Sequence, residues 1–305
     1  MAAPSAFPVA NDGVVFDDAF HRRLAEWNHR RLSPAKPHAA WRAELAEEHE
    51  MRRQEGAFME AFRSEVTARA ATAPTDPEGM LRWFEDLKHT GPGQADPLFP
   101  WLAEEADLES MRWFLEQEVA GEAGFDDLVA YTQVKIPVAR AKLELAANYW
   151  DEMGRGSEGG MHGPMLDALA RKLDLSPRIE TTVGPALALG NTLVAMATTR
   201  RYAYHSVGGL GAVELTAPWR ADLVAKGLKR LGVGKERIYF ALHATLDIKH
   251  SETWNAEVLQ PLVAADPDCA RYIAEGALMR LLAGARCFEA YRAHLWGEDG
   301  LRASA

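Results

Sequence analysis

The sequence predicts an all-α protein, and three observations carry that prediction. Almost every apolar pattern in the chain repeats at 3.6 residues rather than 2. No run alternates apolar and polar residues as a half-buried strand would. Pro, Gly and Asp-Pro steps punctuate the periodic segments where helices start and stop. With 305 residues, 48% of them hydrophobic, the chain can bury a core large enough for a helical bundle.

Taken in order, Leu24, Trp27 and Leu32, then Phe58, Phe62 and Val66, give helical spacing from His21 to about Ala71. The pattern predicts two helices broken at Ser33-Pro34. Thr72 to Thr75 reads as a turn, Asp76-Pro77 as a helix start, and Thr90-Gly91-Pro92-Gly93 as its end. A boundary near residue 95 divides the chain into an N-terminal accessory helical segment, 1–95, and a helical domain, 96–305. The accessory segment is expected to cover the bundle or to form a homodimer contact. Further helices are expected over 107–132, 138–153, 162–174, 183–217, 219–231, 235–258 and 267–296.

Composition excludes several functions. The net charge of −10 is spread through the chain, so no basic face is available for nucleic acid or for anionic lipid. No N-terminal signal segment and no apolar run of membrane-spanning length occurs, and a cytoplasmic address is expected. Cys269 and Cys287 lack metal or disulfide spacing and are expected in the core.

The stretch Leu242 to Ser251, LHATLDIKHS, carries the chemistry. On a helix, His243, Asp247 and His250 fall at i, i+4 and i+7 and share one face. At this composition HxxxDxxH is expected by chance on the order of 0.02 times. Helical bundles build metal sites from inward side chains of several helices, and three other positions supply candidates. Glu152 ends a helix in NYWDEMGRG, His162 starts the next, and Glu214 lies in a small-residue, apolar helix where a lone carboxylate is costly. Three imidazoles and three carboxylates exceed what one zinc needs and suit two iron or manganese ions, with Glu214 or Asp247 as the bridging carboxylate. Plainer readings exist for each: Glu152 paired with Arg155, His162 as an exposed cap, Glu214 paired with Arg200, Arg201 or Arg220.

The order Glu152, His162, Glu214 and then His243-x-x-x-Asp247-x-x-His250 resembles the haem-oxygenase-like diiron oxidases, the iron-containing redox enzymes. The likeness covers about residues 107–296. It implies a haem-oxygenase-like bundle with an additional N-terminal segment, in which these six residues bind two Fe2+ ions per chain; manganese suits the same ligands. Some relatives add a carboxylate from the preceding helix, which here would be Glu118 or Glu122, with Glu118 favoured. The implied function is oxidation of a small amine- or carboxylate-bearing molecule by dioxygen, through N-oxygenation or oxidative C–C cleavage, with an external electron donor. Trp150, Tyr202, Tyr204 and the Arg200-Arg201 pair are candidate pocket residues, Arg201 for a substrate carboxylate. Among relatives of this kind the protein itself can supply the substrate, for which Tyr202, Tyr204 and Tyr239 qualify.

Rival classes fit less well. Ferritin-like sites use a pair of Glu-x-x-His motifs, and zinc proteases use HExxH; the chain has neither. A non-catalytic metal-binding bundle needs no roomy apolar pocket beside the metals, and a cofactor-free enzyme of the same architecture, resembling thiaminases or quinone-synthesis enzymes, does not need the six-residue set. The run Ser206 to Ala212, SVGGLGA, either leaves such a pocket or packs helices closely.

Overall fold

The computed structural model describes residues 16–121 and 124–303, without the side chains of 121 and 298–303, so Glu122 lies outside the described residues. Thirteen α-helices follow one another: α1 (Asp18–Leu32), α2 (Trp41–Ala70), α3 (Pro77–Thr90), α4 (Leu98–Glu104), α5 (Leu108–Gly121), α6 (Phe125–Thr132), α7 (Ala139–Glu152), α8 (His162–Lys172), α9 (Gly184–Thr198), α10 (Ala203–Arg230), α11 (Ile238–Thr253), α12 (Gln260–Ala265) and α13 (Cys269–Ala303). Among the described residues there is no strand. One isolated bridge joins Met153 and Met161.

Local chemistry sets several ends. Asp17 and Asp76 accept from the main-chain N–H groups of Phe20 and Gly79, capping α1 and α3. The predicted break at Ser33-Pro34 is present, and α3 stops at Thr90 as expected. Two expectations fail. The predicted helix 183–217 breaks at Thr199, whose extended backbone interrupts it. Pro218, read as a helix end, lies inside α10. A proline costs one main-chain hydrogen bond, to the carbonyl four residues back. On either side of it Ala212, Leu215, Ala221, Val224 and Leu228 are buried, and that packing carries the helix through. The predicted helix 107–132 is likewise two helices, and the seven-residue α4 was not foreseen.

The central element is α10, which packs against α11, α13, α9 and α4. Close approach between α10 and α13 depends on glycine: a Cβ at Gly208 would strike the Ile273 carbonyl, and one at Gly276 the carbonyl of His205. Of the two roles open to SVGGLGA, close helix packing is therefore the one it plays. The helices of the N-terminal segment join the same core, with Phe20, Phe58, Met80 and Phe84 sharing one apolar cluster with Val207, Leu210, Ile273 and Leu278. A second apolar cluster is built around Phe99, Phe114, Leu169, Val224 and Tyr291.

Candidate metal centre

The loop between α7 and α8 brings two of the candidates together. Gly154 (φ +61°) and Gly156 (φ +83°) take left-handed conformations, and a Cβ on Gly154 would collide with the backbone of Gly160 and Met161. The loop therefore closes tightly enough for Met153 and Met161 to bridge. Their neighbours, Glu152 at the end of α7 and His162 at the start of α8, face each other: His162 Nδ1 lies 2.5 Å from Glu152 Oε2. That imidazole nitrogen nevertheless makes no hydrogen bond of acceptable geometry.

The remaining candidates arrive from α10 and α11. Ligand atoms of Glu152, His162 and His243 all lie within 4.8 Å of one another, as do those of Glu152, Glu214 and His250. Glu152 belongs to both groups, a shared position for which the sequence had suggested Glu214 or Asp247. Asp247 lies beside the second group, its Oδ1 4.0 Å from His250 Nδ1. Glu152, His162, Glu214, Asp247 and His250 are each at most 5% exposed, and His243 is partly buried. The exposed-stripe reading of LHATLDIKHS is excluded.

Outer contacts orient these groups. His243 Nδ1 lies 2.6 Å from the main-chain oxygen of Tyr239, which can only accept, so the proton sits on Nδ1 and Nε2 keeps its lone pair. His250 turns Nε2 toward Asp151 Oδ2 at 3.2 Å and Nδ1 toward Glu214 Oε2 at 3.4 Å. Asn148 donates to Glu214 Oε1 at 2.7 Å. Carboxylate–imidazole–metal and carbonyl–imidazole–metal chains are the usual support for histidine ligands.

The electrostatics suit cations. Burial, and then the neighbouring Glu214 and Glu152 carboxylates, push the Asp247 carboxyl far above the usual range, so it holds a proton. Burial pulls His250 down, but Glu214, Asp151 and Glu152 outweigh it and raise the imidazole to about 9. Burial and the adjacent His162 lower His243 to about 4, which keeps it neutral and able to ligate. Asp247 Oδ1, His162 Nδ1 and His250 Nδ1 are all buried without a hydrogen-bond partner. Such orphaned atoms are rare unless a metal or water completes them. A mixed N and O set of this kind fits iron or manganese.

The plainer readings give way one by one. Arg155 pairs with Asp151, not Glu152. The three arginines considered for Glu214 have other partners: Arg200 binds the main-chain oxygens of Tyr131 and Val134, Arg201 binds Glu60, and Arg220 bonds Thr216. Arg201, Tyr202 and Tyr204 line a different cavity, and Trp150 is half exposed, so none of them borders the cluster. His205 is held by Glu275. Of the three tyrosines, Tyr239 alone lies at the site, its ring 4.3 Å from that of His243.

A cavity of about 210 Å³ opens beside the cluster, reached by Glu152, His162, Glu214, His243 and Asp247 and walled by Phe99, Phe114, Phe125, Leu166, Val213 and Phe240. Glu118 lines it as well, but is buried against Tyr291, whose hydroxyl donates to it at 3.0 Å, and acts on Arg220. Asp151, Asn148, Arg220, Arg280 and Tyr291 were not singled out from the sequence for these positions. Asn148 and Asp151 lie four and one residues before Glu152, and that spacing was the one available signal.

Among the described residues no helix is long and apolar enough to cross a membrane. A search of curated proteins gave no match. Two crystal structures of a CADD-like protein of unknown function from Nostoc punctiforme, at 2.00 Å and 1.35 Å resolution, share the fold. They are 19% and 18% identical in sequence, with TM-scores of 0.55 and 0.54, and cover 72% and 73% of this chain and 98% and 97% of their own. The profile of the iron-containing redox enzymes matches residues 112–285, more than half of the chain and a span that holds all six candidate ligands. The chain belongs to the iron-containing redox enzyme family.

Proposed function

We propose that the protein is a non-haem diiron oxygenase or oxidase that uses dioxygen and an external electron donor to oxidise a small organic molecule. The observation that carries this reading is the coincidence of an apolar-walled cavity with clustered, partly orphaned ligand atoms. A storage or sensing bundle has no use for such a chamber. His162 and His243 would hold one ion, Glu214, Asp247 and His250 the other, with Glu152 between them. When bound, the irons supply the oxidising chemistry.

The protein's own groups do the rest. Glu152, Glu214 and Asp247 together balance most of the charge that two divalent ions bring. Asp151 and the Tyr239 carbonyl fix the tautomers of His250 and His243, and Asn148 fixes one oxygen of Glu214. Aromatic walls exclude water from the space where the substrate sits.

Anaerobic loading with ferrous iron tests the reading. Two irons per chain, with a transient visible band on admitting oxygen, are the expected outcome. One tightly held ion, or none, would refute it.

A further inference from the structure

Three cavities lie in series, and only the innermost holds the metal ligands. The metal cavity shares Glu118, Phe125, Val213 and Arg280 with a smaller chamber of about 110 Å³ between α5, α6, α9, α10 and α13. That chamber in turn shares Leu128 with a third cavity of about 440 Å³, bounded mainly by α1, α6 and α9. The third cavity meets the surface at His29, Ser33, Pro34, Asp127 and Tyr131, all of them exposed. A path from solvent to the metal ligands therefore crosses two partitions, first Leu128 and then Phe125 with Val213.

The middle chamber is a gap in the apolar core. On α9, Ala186, Leu189 and Leu193 fall at i, i+3 and i+7, one face of the helix, and all three line the chamber. That helix packs against α5, α10 and α13, yet Leu189 and Leu193 are only partly buried: in part they face empty space where a core helix would normally meet side chains. Protein cores hold few voids larger than a water molecule, and each one lowers stability. The polar groups in the wall are turned on other protein atoms. Gln117 Oε1 accepts from the main-chain N–H of Val183 at 2.9 Å, and the Tyr291 hydroxyl donates to Glu118 Oε1 at 3.0 Å. A trapped water needs about two to four polar partners, so an apolar guest suits this chamber better.

From this geometry we propose that the chamber is a binding site for a small apolar gas, and that dioxygen reaches the metal cavity through it. Size selects the guest: a cavity of about 150 Å³ holds benzene, so one of about 110 Å³ admits about four non-hydrogen atoms. A diatomic gas fits. The binding half stands without the metal site, whereas the delivery half rests on the proposed oxygen-dependent reaction. A substrate seated in the metal cavity fills the space beside the ligands, and a separate entrance lets dioxygen arrive while it is bound. Val213 directly precedes Glu214 on α10, so gas that crosses this partition emerges beside a candidate ligand.

Dioxygen is paramagnetic and reports its own position. In metal-free protein under oxygen pressure, the methyl protons of Leu128, Ala186, Leu189 and Leu193 should gain relaxation at least about twofold faster than those of Leu81 and Leu223. The two reference leucines are also partly buried but line none of the three cavities. Leu189→Phe, which fills the chamber, should abolish the excess relaxation at Leu193. In the iron-loaded variant, oxidation of ferrous iron by dioxygen should slow at least about threefold with iron content unchanged. Leu193→Phe probes the same space from the next turn of α9.

Relaxation in the chamber no faster than at the reference leucines, or oxidation at the wild-type rate once the chamber is filled, would overturn the inference. The wild-type relaxation map stands whether or not the variants fold. The two readings fail separately. Excess relaxation in a chain that takes up no iron leaves the gas site standing and sinks the metal site, whereas iron uptake without excess relaxation sinks the chamber alone.

Discussion

Asp151 lies outside both groups of clustered ligands, yet its removal should weaken the metal site. Its Oδ2 lies 3.2 Å from His250 Nε2, and both its oxygens accept from Arg155. In Asp151→Ala, His250 loses the acceptor that keeps its proton on Nε2 and its Nδ1 directed at Glu214. A charge-assisted hydrogen bond contributes about 1.5–3 kcal/mol. The bond is long and the carboxylate is 20% exposed, so the lower end applies. About 1.5 kcal/mol corresponds to about a tenfold loss of affinity for the ion held by His250. The control is Arg155→Ala, which breaks only a pair whose arginine is 65% exposed, worth about 0.3–0.5 kcal/mol. Competitive titration with a chromogenic chelator resolves the two ions. Weakening of one ion by Asp151→Ala, and of neither by Arg155→Ala, is expected. Equal loss of both ions, or unchanged affinity in the first variant, would refute the reasoning.

Further outcomes follow from the same site. Asp247→Asn should lower bound iron to one ion per chain or fewer with helix content unchanged, as read by metal analysis and circular dichroism. The raised pKa values of Asp247 and His250 mean that the folded, metal-free chain binds protons that the unfolded chain releases, from about pH 4 for the carboxyl and between about 6.5 and 9 for the imidazole. Stability of the metal-free protein should therefore fall as pH rises from 6 to 9, and Asp247→Asn should flatten that fall in a thermal melt with chelator present. The same protons must leave when metal binds, so iron affinity should weaken as pH drops below about 9, with proton release visible as buffer-dependent binding heats. Gly208→Ala should cost about 1–3 kcal/mol through its collision with the Ile273 carbonyl, lowering the melting temperature while leaving the iron stoichiometry intact.

Much of the site was legible because ligation by a helix imposes spacing. His243, Asp247 and His250 repeat at helical intervals, and no arrangement of a stable helix could scatter them. Glu214 stood out because a carboxylate among small apolar residues has to be compensated. Charges whose partners come from elsewhere in the fold were illegible. Arg155 was read as a possible partner for Glu152; it pairs with Asp151 instead, in a segment where Gly154, Arg155 and Gly156 all take left-handed conformations. Arg201 was the arginine chosen for a substrate carboxylate; it pairs with Glu60 of α2, which sequence distance conceals.

Helix existence and the candidate ligands therefore came from the sequence by itself, because periodicity and residue chemistry act locally. The continuation of α10 through Pro218, the closeness of α10 to α13 at Gly208 and Gly276, the sharing of Glu152 by both candidate ligand groups, and the presence of Arg220 and Arg280 in the wall of one cavity were decided only by tertiary structure. Each of those depends on which helix faces which, and that is set by packing between segments far apart in the chain.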